Sequence, residues 1–141
     1  MGCHNSTVVS APPAAVWQAI RNFHDMSAFG ALIERVDRVG EVGGDAVGAK
    51  RVVNGAFHET LVALDDDDHS LSYSIDDGPG PVAKDAVAGY LGTVRLLPVT
   101  DTDETLVEWT SQWRDAGGGV QEFCDPIYQG ALAGLKAHFG A

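Results

Sequence analysis

From Leu32 to Arg114 the chain is written almost wholly in strand grammar, and this stretch limits the fold more than any other feature. Residues 34–39, 49–54, 57–64, 70–75, 87–98 and 105–114 are runs enriched in β-branched and aromatic side chains, which suit a pleated, half-buried surface. The breaks between them carry glycine, proline, asparagine and aspartate, each a turn former for its own reason. Asn54-Gly55 between two such runs is among the strongest short hairpin signals, because a two-residue type I′ turn needs positive φ at both central positions. Short connections of this kind favour antiparallel neighbours in a meander.

Helices flank the strands. Thr7-Val8-Val9 reads as a short strand over about residues 6–10, after which Pro12 and Pro13 pre-set the first turn of a helix. Val16, Ile20 and Phe23 then recur at helical spacing with Trp17 beside them, while Gln18 and Arg21 face water, predicting a helix over 13–22 and a further short turn at 26–30. At the other end Gly117-Gly118-Gly119 closes the last strand. Phe123, Ile127, Ala131 and Leu135 follow at steps of four, with Phe139 continuing the series, predicting a helix over 118–139. Pro126 removes a backbone donor inside that span, so a kink or a broken start is expected, with Asp125 capping the regular part. Gly130, Ala131, Ala133 and Gly134 make the helix thin, either to pack close to the sheet or to leave room for a ligand.

Charge and motif content remove several functions. The chain has 141 residues, enough for one domain, and carries a net charge of −11. Such a field repels phosphate backbones and anionic lipid, so no nucleic-acid partner is expected. Much of the charge sits in Asp65-Asp66-Asp67-Asp68 and Asp101-Thr102-Asp103-Glu104, between strands. The alternating ligands and glycine of a calcium loop are missing, so both clusters read as solvated tips. No apolar run approaches about 18 residues and no signal pattern opens the chain, which predicts a cytoplasmic protein without a membrane span. Met1-Gly2-Cys3-His4-Asn5-Ser6 fits a myristoylation pattern, but the first strand leaves little arm to present it. Cys3 and Cys124 stand far apart in sequence, and two free thiols suit them better than a bridge. The five histidines form no i, i+4 pair, and no phosphate-binding glycine loop or nucleophile elbow is present, so neither a metal nor a cofactor is expected.

Several segments occur together in a fixed order: Ala11-Pro12-Pro13-Ala14-Ala15-Val16-Trp17 at the first helix, Val47-Gly48-Ala49-Lys50-Arg51 entering a strand, and Glu59-Thr60-Leu61 followed by Leu64-Asp65-Asp66. Leu71-Ser72-Tyr73-Ser74-Ile75, Tyr90 through Pro98, and Val107-Glu108-Trp109 come after them. In this set and in its order of elements the chain resembles the SRPBCC superfamily, also called START-like or helix-grip, and within it the polyketide cyclase/dehydrase and lipid transport group. The resemblance implies one α+β domain over residues 1–141: a curved antiparallel sheet of six to seven strands wrapped around a long C-terminal helix, with an apolar cavity between them. Two departures stand out. Met26-Ser27-Ala28-Phe29-Gly30 replaces a tryptophan-containing segment after the first helix, and Asn54-Gly55-Ala56 lacks the gate loop of the plant hormone-receptor branch.

Alternate residues of a strand share a face, so one parity per strand defines the cavity wall. The resemblance implies that Glu59 points inward, and period two adds Phe57 and Leu61. The same comparison turns Tyr73, Ile75, Tyr90, Gly92 and Val94 inward, then Glu108, Thr110 and Gln112 on the last strand. Arg51 and Val53 line the strand before Glu59, while Phe123, Ile127 and Ala131 close the cavity from the helix. His58 falls outside, and Trp109 and Trp113, opposite in parity to Glu108, read as packing. A mostly apolar wall with sparse polar groups is the usual composition of a small-molecule cavity. The expected function is binding of a small hydrophobic or aromatic ligand. One alternative is a cyclase/dehydratase-type or isomerase-type enzyme with Glu59, Tyr90 and Glu108 as catalytic groups. Another is an interaction module whose interior is filled by side chains; separately, Glu59 and Arg51 read equally as a buried ion pair that satisfies itself, with Tyr90 donating to it. A homodimer stays open.

Overall fold

The computed structural model describes residues 2–140. In chain order the elements are β1 (Gly2–Val9), α1 (Pro13–Ile20), β2 (Val36–Val39), β3 (Lys50–Val53), β4 (Phe57–Asp65), β5 (Ser70–Asp77), β6 (Val87–Ala88), β7 (Leu91–Val99), β8 (Glu104–Gln112), β9 (Asp115–Ala116) and α2 (Val120–His138). Seven strands form one sheet in the order β1-β8-β7-β5-β4-β3-β2, and each neighbouring pair is antiparallel. This is the expected α+β helix-grip architecture, with α2 held in the concave face. β6 and β9 form a separate two-stranded ladder. The run expected over 87–98 is therefore broken at Gly89, whose φ of 69° turns the chain before Tyr90.

The turns have simple causes. Asn54 and Gly55 both take positive φ (55° and 66°) and Ala56 N–H donates to the Val53 carbonyl (3.0 Å), as a type I′ hairpin requires. At the acidic tip, Asp65 Oδ1 accepts the backbone N–H groups of Asp67 and Asp68. Asp66 reaches across to α1, accepting from Trp17 Nε1 (2.7 Å) and from Arg21 Nε and Nη2 (2.9 and 3.0 Å). The tip thus tethers the helix that Pro13 begins.

Two expectations for α2 are corrected. The helix runs for 19 residues without interruption, and Pro126 sits inside it on the exposed side. The carbonyl that Pro126 leaves unpaired belongs to Glu122, itself exposed, so water can serve it. Asp125 does not cap the helix; it accepts from Asn5 Nδ2 (2.9 Å) and ties α2 to the edge strand β1. The thin middle of α2 admits the segment after α1. A Cβ on Gly134 would lie 1.9 Å from the Phe29 carbonyl oxygen, and one on Gly130 would lie 3.0 Å from Leu32 Cδ2.

β1 begins at Gly2, four residues before the predicted start, and a Cβ there would meet Ser111 O at 2.1 Å. Cys3 and Cys124 are free and buried. Among the described residues no helix is long and apolar enough to cross a membrane.

Gly92 opens space on β7 for the ring of Tyr73: a Cβ there would lie 2.4 Å from Tyr73 Cζ, and Tyr73 is 1% exposed. Gly92→Ala is expected to lower stability by about 1–3 kcal/mol through overpacking, read as a fall in the urea midpoint. An unchanged midpoint would mean that the ring yields freely.

Candidate functional site

A cavity of about 220 Å³ lies between α2 and the sheet. β3 supplies Arg51 and Val53, β4 Phe57 and Glu59, β5 Tyr73 and Ile75, and β8 Trp109. From α2 come Cys124, Ile127, Tyr128 and Ala131, and Met26, Leu32, Ile33 and Asn54 complete the lining. The rim is the exposed part, with Leu32 43% accessible.

Arg51 and Glu59 are directly opposite each other in the β3–β4 register, so the hairpin fixed by Asn54-Gly55 brings them together. Arg51 Nε donates to Glu59 Oε1 (2.7 Å), Nη2 lies 2.7 Å from the same oxygen, and Nη1 donates to the Phe23 carbonyl (3.0 Å). The guanidinium also lies 3.7 Å over the Phe23 ring. Both residues are nearly sealed, at 6% and 7% exposure. Burial pushes the Glu59 carboxyl above the ordinary range, while the Arg51 charge and hydrogen bond pull it back. Glu59 Oε2 accepts no hydrogen bond from the described residues. No fully buried polar side-chain atom among them lacks a partner, so Oε2 is the oxygen left open to the cavity.

A chain of aromatic hydroxyls adjoins this pair, the Tyr73 ring centroid lying 5.5 Å from the Arg51 guanidinium. Trp109 Nε1 donates to Tyr73 Oη (3.0 Å), Tyr73 and Tyr128 hydroxyls are 3.0 Å apart, Tyr128 and Tyr90 hydroxyls are hydrogen-bonded, and Tyr90 donates to Cys124 Sγ (3.6 Å). Trp109 and Tyr128 stack at 4.9 Å, which rigidifies the chain. Burial raises all three tyrosines well above their ordinary value, so they remain neutral. It also raises both thiols, Cys3 to about 11, so neither is an activated nucleophile.

Of the residues named from sequence, Arg51, Val53, Phe57, Glu59, Tyr73, Ile75, Ile127 and Ala131 lie in the cavity lining. Leu61, Gly92 and Val94 are buried outside it, and Tyr90 stands behind Tyr128. Phe123 is half-buried against Phe57, ring centroids 6.3 Å apart, rather than in the lining. The last strand corrects the expectation: Glu108, Thr110 and Gln112 face away from the core, and Val107, Trp109 and Ser111 face in. Glu108 accepts from His4 Nε2 on β1 (3.0 Å) and takes no part in the site. Directly opposite residues of an antiparallel pair share a face, and the register sets Trp109 against inward Val94 and Glu108 against exposed Arg95.

Sequence reasoning missed Trp109, Cys124 and Tyr128. The alternation of apolar Val107 and Trp109 with polar Glu108 and Thr110 already carried the strand signal. On α2, steps of four from Phe123 drift round the helix and hid the stripe at Cys124 and Tyr128.

A long α-helix gripped by a seven-stranded antiparallel sheet defines the class as helix-grip. The profile of the polyketide cyclase/dehydrase and lipid transport family matches residues 3–140, and the chain belongs to that family. A structure from Nitrosospira multiformis is 42% identical, with a TM-score of 0.96, over 100% of this chain and 97% of that one. A solution structure from Thermobifida fusca shares the fold at 22% identity and a TM-score of 0.82, covering 99% of this chain and 93% of that one. Major latex-like protein 151 of Panax ginseng does so at 14% identity and 0.78, covering 100% and 98%. No curated protein matches the sequence.

The buried pair gives a pH test. A carboxyl raised in the fold binds its proton more tightly there than in the unfolded chain, whose value is about 4.3. Stability therefore falls as pH rises from that value through the raised one. Arg51→Met removes the opposing charge, so the fall becomes steeper and reaches higher pH, and adding Glu59→Gln abolishes it. Urea unfolding across the acid-to-neutral range reads both; a pH-independent Arg51→Met variant would contradict the assignment of burial as the dominant effect.

Proposed function

We propose that the chain binds one small, mostly apolar ring compound in the cavity between α2 and the sheet. The observation that carries this reading is the void itself: about 220 Å³, walled largely by apolar side chains such as Val53, Phe57, Ile75, Ile127 and Ala131, with the Arg51–Glu59 pair, Asn54, Tyr73 and Tyr128 among its few polar residues. An apolar cavity of about 150 Å³ admits benzene, whereas drug-sized ligands occupy about 300 Å³ or more, so the volume suits one ring or two fused rings. A filled interaction core, the bland alternative, would leave no such space. Family membership supports a hydrophobic ligand or a cyclase-like activity without choosing between them.

Glu59, with its carboxyl raised by burial beside tyrosine hydroxyls, favours the enzyme as a second reading. Glu59→Gln separates the two. Retained binding with lost turnover marks a catalyst, whereas turnover that survives leaves Glu59 an orienting group.

Ala131 faces the cavity from α2 and is 1% exposed. Ala131→Leu fills the void with three extra carbons. Its expected effect is loss of ligand by at least about tenfold, with thermal stability held or raised. Native mass spectrometry of the protein purified from its own host reads the retained ligand. Equal retention by Ala131→Leu would place the ligand elsewhere.

A further inference from the structure

The cavity's polar atoms have a direction. Trp109 Nε1 has a proton and no lone pair, so Tyr73 Oη accepts from it. At the far end Tyr90 spends its only proton on Cys124 Sγ. The hydroxyls of Tyr73, Tyr128 and Tyr90 are thus engaged with one another, with Trp109 and with Cys124. Glu59 presents Oε2, an acceptor, to the cavity, while its partner oxygen and the Arg51 donors are engaged with each other and with the Phe23 carbonyl. An acceptor with no donor of its own thus stands in an otherwise mostly apolar space, as part of an ion pair whose charges cancel.

We propose that this cavity selects neutral ring compounds bearing an O–H or N–H donor, such as phenols, aryl alcohols and indole-type N–H groups, over carboxylates and ammonium ions of the same size. The proposal rests on the binding reading above. A ligand carboxylate would bring an uncompensated negative charge against Glu59 Oε2. A ligand ammonium would compete with Arg51 for a carboxylate already neutralised, and burying a charge without its own counter-ion is strongly unfavourable. A neutral donor meets a waiting acceptor and leaves the Arg51–Glu59 pair intact.

The test compares naphthalene, 2-naphthol, 2-naphthoate and 2-naphthylmethylamine at pH 7 by amide-resolved NMR titration. On the wild-type protein 2-naphthol binds about tenfold or more tighter than naphthalene, in keeping with one hydrogen bond to a charged acceptor, and both ions bind more weakly than naphthalene. Glu59→Leu loses the 2-naphthol advantage and, with Arg51 left unpaired, turns the preference toward 2-naphthoate. Where Glu59→Leu fails to give a folded spectrum, the Arg51→Met/Glu59→Leu double variant replaces the pair by apolar groups and binds naphthalene and 2-naphthol within about threefold of each other. Equal wild-type affinity for naphthalene and 2-naphthol, or tighter binding of either ion, overturns the proposal and leaves the binding reading standing. Absence of binding by all four compounds overturns the binding reading, and this proposal with it.

Discussion

Tyr73 lies where the sheet, the loop after α1 and α2 converge. Its ring occupies the space that Gly92 leaves on β7, its hydroxyl accepts from Trp109 on β8 and meets Tyr128 on α2, and its face turns toward Phe23 at 6.4 Å. A glycine on one strand thus allows a large side chain on the next to lie flat across the concave face instead of standing into it. Without that, the ring would project into the volume that is now the cavity. The void is therefore a product of packing around Tyr73. The thinness of α2 serves mainly to seat Phe29 and Leu32, and only Ala131 in its small-residue stretch lines the space.

The Arg51–Glu59 pair depends on the same frame. A guanidinium suits the position better than an ammonium because its planar fork engages Glu59 on one side and the Phe23 carbonyl on another while its face rests on the Phe23 ring. It thereby links the sheet to the segment that follows α1. Breaking such a pair on one side leaves a buried charge, a loss of about 3–5 kcal/mol, whereas removing both partners together can be nearly neutral. The pair is thus weak evidence of stability and stronger evidence of a constraint on what else occupies the cavity. Most of the protein's acidic side chains are exposed, among them Asp65 to Asp68 at a hairpin tip.

The antiparallel meander was legible because turn chemistry and alternation agree along most of the chain, whereas the pairing of β1 with β8 was not. Asn54-Gly55 alone fixes the register that faces Arg51 with Glu59. The resemblance placed Tyr73 and Ile75 on the cavity side, and alternation from Glu59 added Phe57. The last strand failed for a specific reason: likeness to other sequences was allowed to outrank the plain alternation of Val107, Trp109 and Ser111 against Glu108, Thr110 and Gln112. The hydroxyl chain was not legible at all. It joins residues 73, 90, 109, 124 and 128 from four separate segments, and only three-dimensional packing brings their polar atoms within hydrogen-bonding distance. Pro126 misled in the opposite sense, because its effect depends on whether the freed carbonyl meets water or core.

The rim of the cavity is built differently from its floor. Asn54 Nδ2 donates to the Leu32 carbonyl (3.0 Å), while its Oδ1 accepts the backbone N–H groups of Glu34 (2.7 Å) and Arg35 (3.1 Å). The Asn54 backbone N–H donates to the Arg35 carbonyl as well (2.7 Å). Four hydrogen bonds from one hairpin residue thus hold residues 32–35 over the mouth, where Leu32 is substantially exposed and little apolar burial assists. The floor, by contrast, consists of fully buried aromatics that open only with the core itself. Segments held by exposed hydrogen bonds separate at lower free energy than packed ones. The same asparagine that sets the β3–β4 turn also closes the mouth, so the register of the Arg51–Glu59 pair and access to that pair are governed by one residue.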